Sequence, residues 1–324
     1  MWRGSRKTSL LNELGDRMYH KFFGLRENPF NINPDPRYLF MTRHTQEALA
    51  CLIYGIQTRK GFILLTGEVG TGKTTVINKT LEWARQEKIA TAFIFNPRLN
   101  ETEFFDFMMA DFGISCESQL KSRVLLKLNE WLLERYQQGQ RAVLVVDEAQ
   151  NLSVDMLEEI RLLTNLETSK EKLLQIVLAG QPELEQRLNL PDLRQLRQRI
   201  ILRARTRPLT LIETHGYVTE RLRIAGNSAG EIFTADAIEA INRYSAGIPR
   251  VINLICEHAL INAFVEQNRS IQEKIILEVA RDFDLNDASA PPLLAKATSP
   301  GHPVLVDAPS AQRPLQKLSG EKKI

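Results

Sequence analysis

Cysteine is scarce in this sequence, and neither sign of charge dominates it. Three cysteines occur among 324 residues, at Cys51, Cys116 and Cys256. An odd number at wide spacing predicts neither a disulfide framework nor a metal cluster, and it is typical of a protein from a reducing cytoplasm. The net charge of +3 is too small to indicate nucleic-acid binding by itself. Apolar residues make up 43% and charged residues 25%, which is ordinary for a globular protein with a core.

Long apolar runs are missing as well. A helix that spans a bilayer needs about 18 uncharged apolar residues or more, and no such window is present. The best candidate, residues 248–265, is interrupted by Arg250, Glu257 and His258. Residues 1–7 are basic but lead into no hydrophobic segment, so they do not predict a signal peptide. We therefore expect neither a membrane span nor a cleaved leader.

The sequence does contain one strong motif. Residues 67–74 read Gly-Glu-Val-Gly-Thr-Gly-Lys-Thr, which fits the phosphate-binding loop of P-loop proteins. The apolar run 62–66 before it predicts a buried strand. After it, Val76, Ile77, Leu81 and Ala84 recur at helical spacing. Strand, glycine loop and helix form the context that the motif requires, and the alternative is a chance glycine turn before a helix.

This loop predicts a site for the phosphates of ATP. Glycines allow a tight turn in which several amide N–H groups point at one phosphate, and the helix N-terminus adds donors and a favourable dipole. The predicted nucleotide contacts are Gly67, Glu68, Val69, Gly70, Thr71, Gly72, Lys73, Thr74 and Thr75. Lys73 is expected to reach the β- and γ-phosphates, and Thr74 to hold Mg²⁺ through its hydroxyl.

A second strand that ends in two carboxylates supports the same chemistry. The apolar run 142–146 is followed by Asp147 and Glu148. Ligands of open α/β sheets bind at the carboxyl ends of the strands, where these side chains would emerge. We expect Asp147 to orient the Mg²⁺ hydration shell and Glu148 to act as general base on the attacking water. The alternative is an acidic N-cap for the helix that starts near Ser153.

Several short strings before the loop form a recognisable pattern. They are Phe22-Phe23-Gly24-Leu25, Pro29-Phe30, Pro34-Asp35-Pro36, His44 and Gly55. Over about residues 18–285 the chain resembles the general secretion pathway protein A family of AAA+ ATPases, whose relatives include ATPases of mannose-sensitive pilus and exosortase gene clusters. Classical members continue into a membrane helix and a cell-wall-binding region, which are not expected in this sequence.

The alternation of strands and helices predicts a parallel sheet with helices on both faces. The resemblance implies an α/β P-loop NTPase core of the AAA+ type with five strands, followed by a small all-helical lid. The predicted organisation is a flexible extension (1–17), a linker and helix (18–60), the core (61–208), the lid (209–285) and a disordered tail (286–324). Within the linker we expect an extended segment pinned by aromatic rings over residues 19–40, and a helix that ends with Gly55 as its C-cap.

The resemblance also implies roles for four residues outside the loop. Gln181, at the end of a strand, takes the position of a sensor for the γ-phosphate, with a simple turn-forming glutamine as the alternative. Arg197 and Arg199 are the candidates for an arginine that reaches the nucleotide of a neighbouring subunit, and the alternatives are a solvated basic face or a nucleic-acid stripe. Arg250, in the string Gly-Ile-Pro-Arg, is expected to act as a second sensor, with a surface arginine after a glycine cap as the alternative.

The resulting hypothesis is a Mg²⁺-dependent ATPase that assists assembly of a secretion, pilus or exopolysaccharide export system. We expect a homo-oligomer located in the cytoplasm, with the inner-membrane periphery as a further possibility through a membrane-associated partner. We expect Phe30 and Tyr38 to pack on the core, and the alternative is that one of them packs on adenine. One competing function is an ATP-controlled nucleic-acid switch of the transposition-helper or origin-recognition kind. Another is a nucleotide-gated scaffold that hydrolyses little.

Overall fold

The computed structural model describes residues 19–95, 99–117, 120–227 and 231–288, which all lie within one compact unit. The predicted extension over 1–17 and all but the first three residues of the predicted tail lie outside these ranges. The boundaries proposed between linker, core and lid stay predictions.

A five-stranded parallel sheet forms the centre of the first part of the chain. Its strands are β1 (Phe62–Thr66), β2 (Ala90–Ile94), β3 (Ala142–Val146), β4 (Leu174–Gly180) and β5 (Ile200–Arg205). They are ordered β2-β3-β4-β1-β5, and all neighbours are parallel. Strands β1, β3 and β4 are buried along their whole length because helices cover both faces, as their continuous apolar runs predict. The predicted fold class is confirmed.

Within the described residues, seven helices surround the sheet. They are α1 (Arg43–Gln57), α2 (Lys73–Gln86), α3 (Glu101–Asp111), α4 (Lys121–Gln137), α5 (Val154–Leu163), α6 (Pro182–Leu188) and α7 (Arg194–Arg199). Helices α1 and α2 share one apolar cluster with the sheet, and α3 to α7 share the other. Alternate strand residues join opposite clusters: Leu64 packs into the second and Leu65 into the first.

In the part of the lid that the structure describes, four further helices share a core of their own. They are α8 (Leu211–Ile224), α9 (Ala235–Ser245), α10 (Pro249–Val265) and α11 (Glu273–Asp282). Helix α8 begins at Leu211 because Thr210 and Glu213 form a reciprocal capping box. Among the helices that the structure describes, none has the length and apolarity to cross a bilayer.

The amino-terminal segment packs into the lid core rather than onto the sheet. Residues 19–23 are helical, so the expectation of an extended segment is wrong there. Tyr19, Phe23 and Phe30 are buried among the lid helices, and the Phe30 ring meets Phe233 edge to face at 6.1 Å. The segment therefore connects the lid to helix α1 of the core.

Gly55 lies inside helix α1 and does not cap it, which corrects the prediction. The helix begins after Thr42, whose hydroxyl accepts a hydrogen bond from the Thr45 amide, and it continues to Gln57. A Cβ atom at Gly55 would lie 2.5 Å from Ile63 Cδ1 and 2.8 Å from Leu202 Cδ1. Glycine is needed at this position because α1 packs closely against β1 and β5.

We expect Gly55→Ala to destabilise the protein by about 1–3 kcal/mol, because the added methyl group overpacks this contact. Alanine is more favourable than glycine inside a helix by only about 1 kcal/mol. The packing penalty should therefore decide whether the variant is less stable than the parent. Gln57→Ala, at an exposed position of the same helix, is the control. Urea unfolding of both variants checks the prediction, and a Gly55→Ala protein more stable than the parent would contradict it.

Candidate active site

The glycine loop connects the end of β1 to the start of α2. Gly70 and Gly72 have φ angles of 81° and 95°, in the left-handed region that favours glycine. Gly67 is required for another reason, because a Cβ atom there would lie 2.0 Å from the Thr206 hydroxyl. Helix α2 begins at Lys73, immediately after this turn. Its first amide groups and their dipole are thus presented where the loop folds back.

Lys73 is a buried cation whose nearest partners are neutral. Its Nζ donates to the carbonyl oxygens of Gly67 at 2.8 Å and Glu68 at 3.1 Å. Burial lowers the pKa of Lys73, while the carboxylates of Glu148 and Asp147 act in the opposite direction. A desolvated ammonium group beside a helix N-terminus favours the binding of an anion.

Thr74 and Asp147 bring two oxygen ligands together. The Thr74 hydroxyl donates to Asp147 Oδ2 at 3.1 Å, and the Glu148 amide donates to Asp147 Oδ1 at 2.9 Å. Asp147 is 4% exposed, and this burial raises the pKa of its carboxyl group. Hydroxyl and carboxylate oxygens are the ligands that Mg²⁺ prefers in proteins, so this pair fits that metal.

Glu148 follows Asp147 with a left-handed backbone, at φ 52°. It lines the same cavity as the loop, and Gln181 Nε2 donates to its Oε2 at 3.2 Å. Helix α5 is capped by the Ser153 hydroxyl, which accepts from the Met156 amide at 3.1 Å. The alternative of an acidic cap for this helix is therefore wrong, and both carboxylates lie at the carboxyl end of the sheet.

Residues of the lid line one side of this cavity, which has a volume of about 250 Å³. The Arg250 amide donates to the Gly70 carbonyl oxygen at 3.2 Å, and a Cβ atom at Gly70 would lie 2.8 Å from Arg250 Cβ. Arg250 lines the cavity together with residues 69–76 and Glu148. The structure thus brings Lys73, Glu148 and Arg250 to one cavity.

Arg197 and Arg199 are not among the described residues that line this cavity. Arg199 donates to Thr164 Oγ1 at 2.5 Å and to Asn165 Oδ1 at 2.8 Å, beyond the end of α5. Arg197 is exposed and donates to Asn189 Oδ1 at 3.0 Å. The two arginines therefore differ, because Arg199 is held by its own chain at two acceptors and Arg197 extends to the surface.

The outer half of the cavity is formed by residues 31–40 and the first lid helix. Tyr38 lines it, whereas Phe30 is buried in the lid core, which excludes Phe30 from base stacking. Buried Arg221 fixes this segment: it donates to the carbonyl oxygens of Pro29 and Asn31 and lies 4.5 Å from the Tyr38 ring centroid. Sequence reasoning missed Arg221, although its spacing of four from Tyr217 marks one face of α8.

Thr206 is the second residue that sequence reasoning missed. It directly follows β5, and its hydroxyl lies 2.7 Å from the Thr71 hydroxyl. Its amide donates to the Thr66 carbonyl oxygen at 2.8 Å, which fixes it against the loop. No local motif marks Thr206, because its role depends on β5 lying next to β1.

Solved structures with this fold define the class of protein. The ORC2 protein of Aeropyrum pernix superposes with a TM-score of 0.59 at 15% identity, covering 79% of this chain and 71% of that chain. Cdc6p of Pyrobaculum aerophilum superposes with a TM-score of 0.59 at 18% identity, covering 75% of this chain and 68% of that chain. A Thermotoga maritima RuvB variant superposes with a TM-score of 0.51 at 16% identity, covering 78% of this chain and 72% of that chain. Residues 56–188 match the AAA domain family. The fold is that of an AAA+ P-loop NTPase.

One relative of known name is similar to this chain over most of this chain's length. General secretion pathway protein A of Aeromonas hydrophila is 48% identical over 255 residues, which are 78% of this chain and 46% of that protein. Over this region the chain is similar to the general secretion pathway protein A family of AAA+ proteins. It spans about half the length of this relative, so the activity and partners of the whole relative carry over only as proposals.

We expect Asp147→Asn to stabilise the protein in the absence of divalent metal at neutral pH. The raised pKa means that the folded state disfavours the charged carboxylate, whereas a neutral amide avoids that penalty. Its oxygen can accept from the Glu148 amide, and its NH₂ group can donate to the Thr74 hydroxyl in place of the bond that Asp147 Oδ2 accepts. The difference should disappear below about pH 3.8, the ordinary value, where Asp147 is protonated in both states. Melting curves across pH check this, with Asp106→Asn at an exposed position as the control. A variant less stable at neutral pH would contradict it.

Proposed function

We propose that this protein binds ATP with Mg²⁺ in the cavity between the glycine loop and the lid. It hydrolyses the bond between the β- and γ-phosphates, which yields ADP and phosphate. The observation that carries the proposal is the convergence of a buried lysine, a threonine–aspartate pair, a glutamate and a lid arginine on one glycine loop. Each of these groups complements a different part of a metal-bound triphosphate. A chance glycine turn would not account for the buried charges around it.

The chain's own groups account for the hydrolytic step. Amide groups of residues 70–74 and the Lys73 ammonium group would bind phosphate oxygens and stabilise the negative charge that develops on them. Glu148 would accept a hydrogen bond from the attacking water and take its proton as the new oxygen–phosphorus bond forms. The bond between the γ-phosphorus and the β–γ bridging oxygen would break in the same step, with ADP as the leaving group. Thr74 and Asp147 would hold Mg²⁺, which supplies further charge neutralisation when it is bound. Gln181, bonded to Glu148, is suited to sense the phosphate that this water attacks.

Lid movement would couple this reaction to a mechanical output. The lid meets the loop at the hydrogen bond between the Arg250 amide and Gly70. The Arg250 side chain would contact the γ-phosphate, so loss of that phosphate would remove an attraction between lid and core. Arg221 would carry the effect to residues 29–40, since it donates to the carbonyl oxygens of Pro29 and Asn31.

A second copy of the chain would complete the site. We infer a homo-oligomer in which Arg197 of one copy reaches the nucleotide of its neighbour. Arg199 is the weaker candidate, because it is partly buried and donates to two acceptors, Thr164 and Asn165. Arg197 is exposed and, among the described residues, donates to Asn189 alone. Arginine suits this role because its guanidinium is always charged and binds phosphate oxygens in pairs.

The biological setting is proposed from the relative's name. We infer that the ATPase assists assembly of a secretion, pilus or exopolysaccharide export system, working in the cytoplasm or at the inner-membrane periphery. Similarity to general secretion pathway protein A supports secretion most directly. Nucleic-acid control by the arginines of residues 187–207 is less supported, since Arg187, Arg199 and Arg205 are bonded to Gln150, Thr164 and Glu185 of their own chain.

Glu148→Gln should lower turnover to a small residual rate while ATP binding is retained. A general base contributes about 10²–10⁴ to rate, and glutamine preserves the shape of the side chain without its basicity. Phosphate release and a direct ATP-binding titration give the two readouts. Glu183→Gln, exposed on α6, is the control. Equal, very low turnover in both variants and the parent would instead favour the nucleotide-gated scaffold.

Arg197→Ala should lower turnover and leave ATP binding intact, because its guanidinium would act on the neighbour's nucleotide. Such an arginine supplied by a neighbour is worth about 10³–10⁵ in GTPases. Mixing Arg197→Ala with Lys73→Ala should restore part of the activity, since mixed assemblies contain sites with an intact loop and an intact arginine. Arg199→Ala should instead lower the melting temperature. Activity in the mixture no greater than the sum of the two variants would contradict the assignment.

A further inference from the structure

Gln150 forms a bridge between two elements of the candidate site. Its Nε2 donates to Glu148 Oε2 at 2.5 Å, and its Oε1 accepts from the Gln181 amide at 3.1 Å. One side-chain amide thus connects Glu148, the candidate general base, to Gln181, the candidate sensor at the end of β4. Neither the phosphate-loop motif nor the pair of carboxylates indicates a role for this glutamine.

The local fold holds Gln150 from both its backbone and its side chain. It lies in a single 3₁₀ turn, Ala149–Asn151, which directs it back toward the sheet edge. Arg187 of α6 donates to its backbone carbonyl oxygen. The side-chain amide packs over Gly180, where a Cβ atom would lie 2.7 Å from Gln150 Oε1. The glycine at the end of β4 therefore leaves the space that this amide occupies.

The hydrogen bonds to Glu148 are unequal between its two oxygens. Gln150 Nε2 and Gln181 Nε2 both donate to Oε2, at 2.5 and 3.2 Å. Among the described residues, none donates a hydrogen bond to Oε1. Two amides on one oxygen fix the rotation of the carboxylate and keep the second oxygen available for a water molecule. That is the arrangement a general base requires, because its efficiency depends on the direction of the accepting lone pair.

We propose that Gln150 is a positioning residue that sets the orientation of the Glu148 carboxylate for the attacking water. It acts through Glu148 and contacts neither nucleotide nor metal. The inference rests on the proposed ATPase function and assigns a residue to its catalytic step. Because Gln150 also binds the Gln181 amide, a displacement of Gln181 by the γ-phosphate would be transmitted to Glu148 through the same amide group.

Gln150→Leu tests the proposal, since leucine is of similar size and lacks both the donor and the acceptor. We expect turnover to fall about 10- to 100-fold, as for a small misplacement of a catalytic group. The ATP dissociation constant and the melting temperature should stay close to those of the parent. Gln186→Leu, exposed on α6, is the matched control and should keep full turnover.

A double variant separates positioning from a purely structural role. In Glu148→Gln protein, adding Gln150→Leu should cause no further loss of residual turnover, because the group that Gln150 positions is already inactive. A similar fall in both backgrounds, weakened ATP binding, or parental turnover in Gln150→Leu would overturn the inference. If Gln150→Leu does not fold, Gln150→Asn serves instead, because its shorter side chain cannot span both partners and should show the same pattern.

The outcomes also distinguish this inference from the proposed function. Hydrolysis by the parent and its loss in Glu148→Gln would support the ATPase whatever the Gln150 variants show. Parental turnover in Gln150→Leu would then overturn only the positioning role. An absence of hydrolysis by the unaltered full chain would overturn both.

Discussion

The candidate site depends on opposite charges that are buried at one edge of a parallel sheet. Lys73 is 5% and Asp147 is 4% exposed, and burial disfavours the charged form of both. Removal of an ion from water costs several kcal/mol in a protein even after relaxation. Two carbonyl oxygens, one hydroxyl and one amide partly offset that cost here. A metal-bound triphosphate would complete the compensation, since it brings negative charge to the lysine and positive charge to the aspartate.

The strand order explains how these groups meet. Strands β1, β3 and β4 are adjacent, so the glycine loop, the two carboxylates and Gln181 emerge side by side. Strand β5 lies beyond β1 and places Thr206 against the loop. The lid reaches the same point through Arg250 and Gly70, whose close approach leaves no space for a side chain. The site is therefore assembled from distant segments that the sheet topology places together.

Local patterns predicted the parts of this site that local chemistry determines. The glycine loop could be identified because spacing and residue types define its turn. Strands β1, β3 and β4 could be identified because they are largely apolar runs that are buried along their whole length. Gly55 could not be interpreted correctly, since its neighbours Ile63 and Leu202 become apparent only when α1 is packed on the sheet. Local patterns likewise do not show that the lid core buries Phe30 or that Arg199 bonds to residues after α5. Contacts between distant parts of the chain determine the surroundings of each of these residues. Neither residue propensities nor local motifs carry information about such contacts.

The central claim is that a triphosphate occupies the turn between β1 and α2 while Asp147 and Glu148 face it. A crystal structure of the full chain with Mg²⁺ and a non-hydrolysable ATP analogue tests this most directly. The account predicts phosphate oxygens within hydrogen-bond distance of Lys73 Nζ and the amides that begin α2, with the metal against Thr74. A nucleotide bound elsewhere, or one in the cavity with both acids remote from its phosphates, would contradict it.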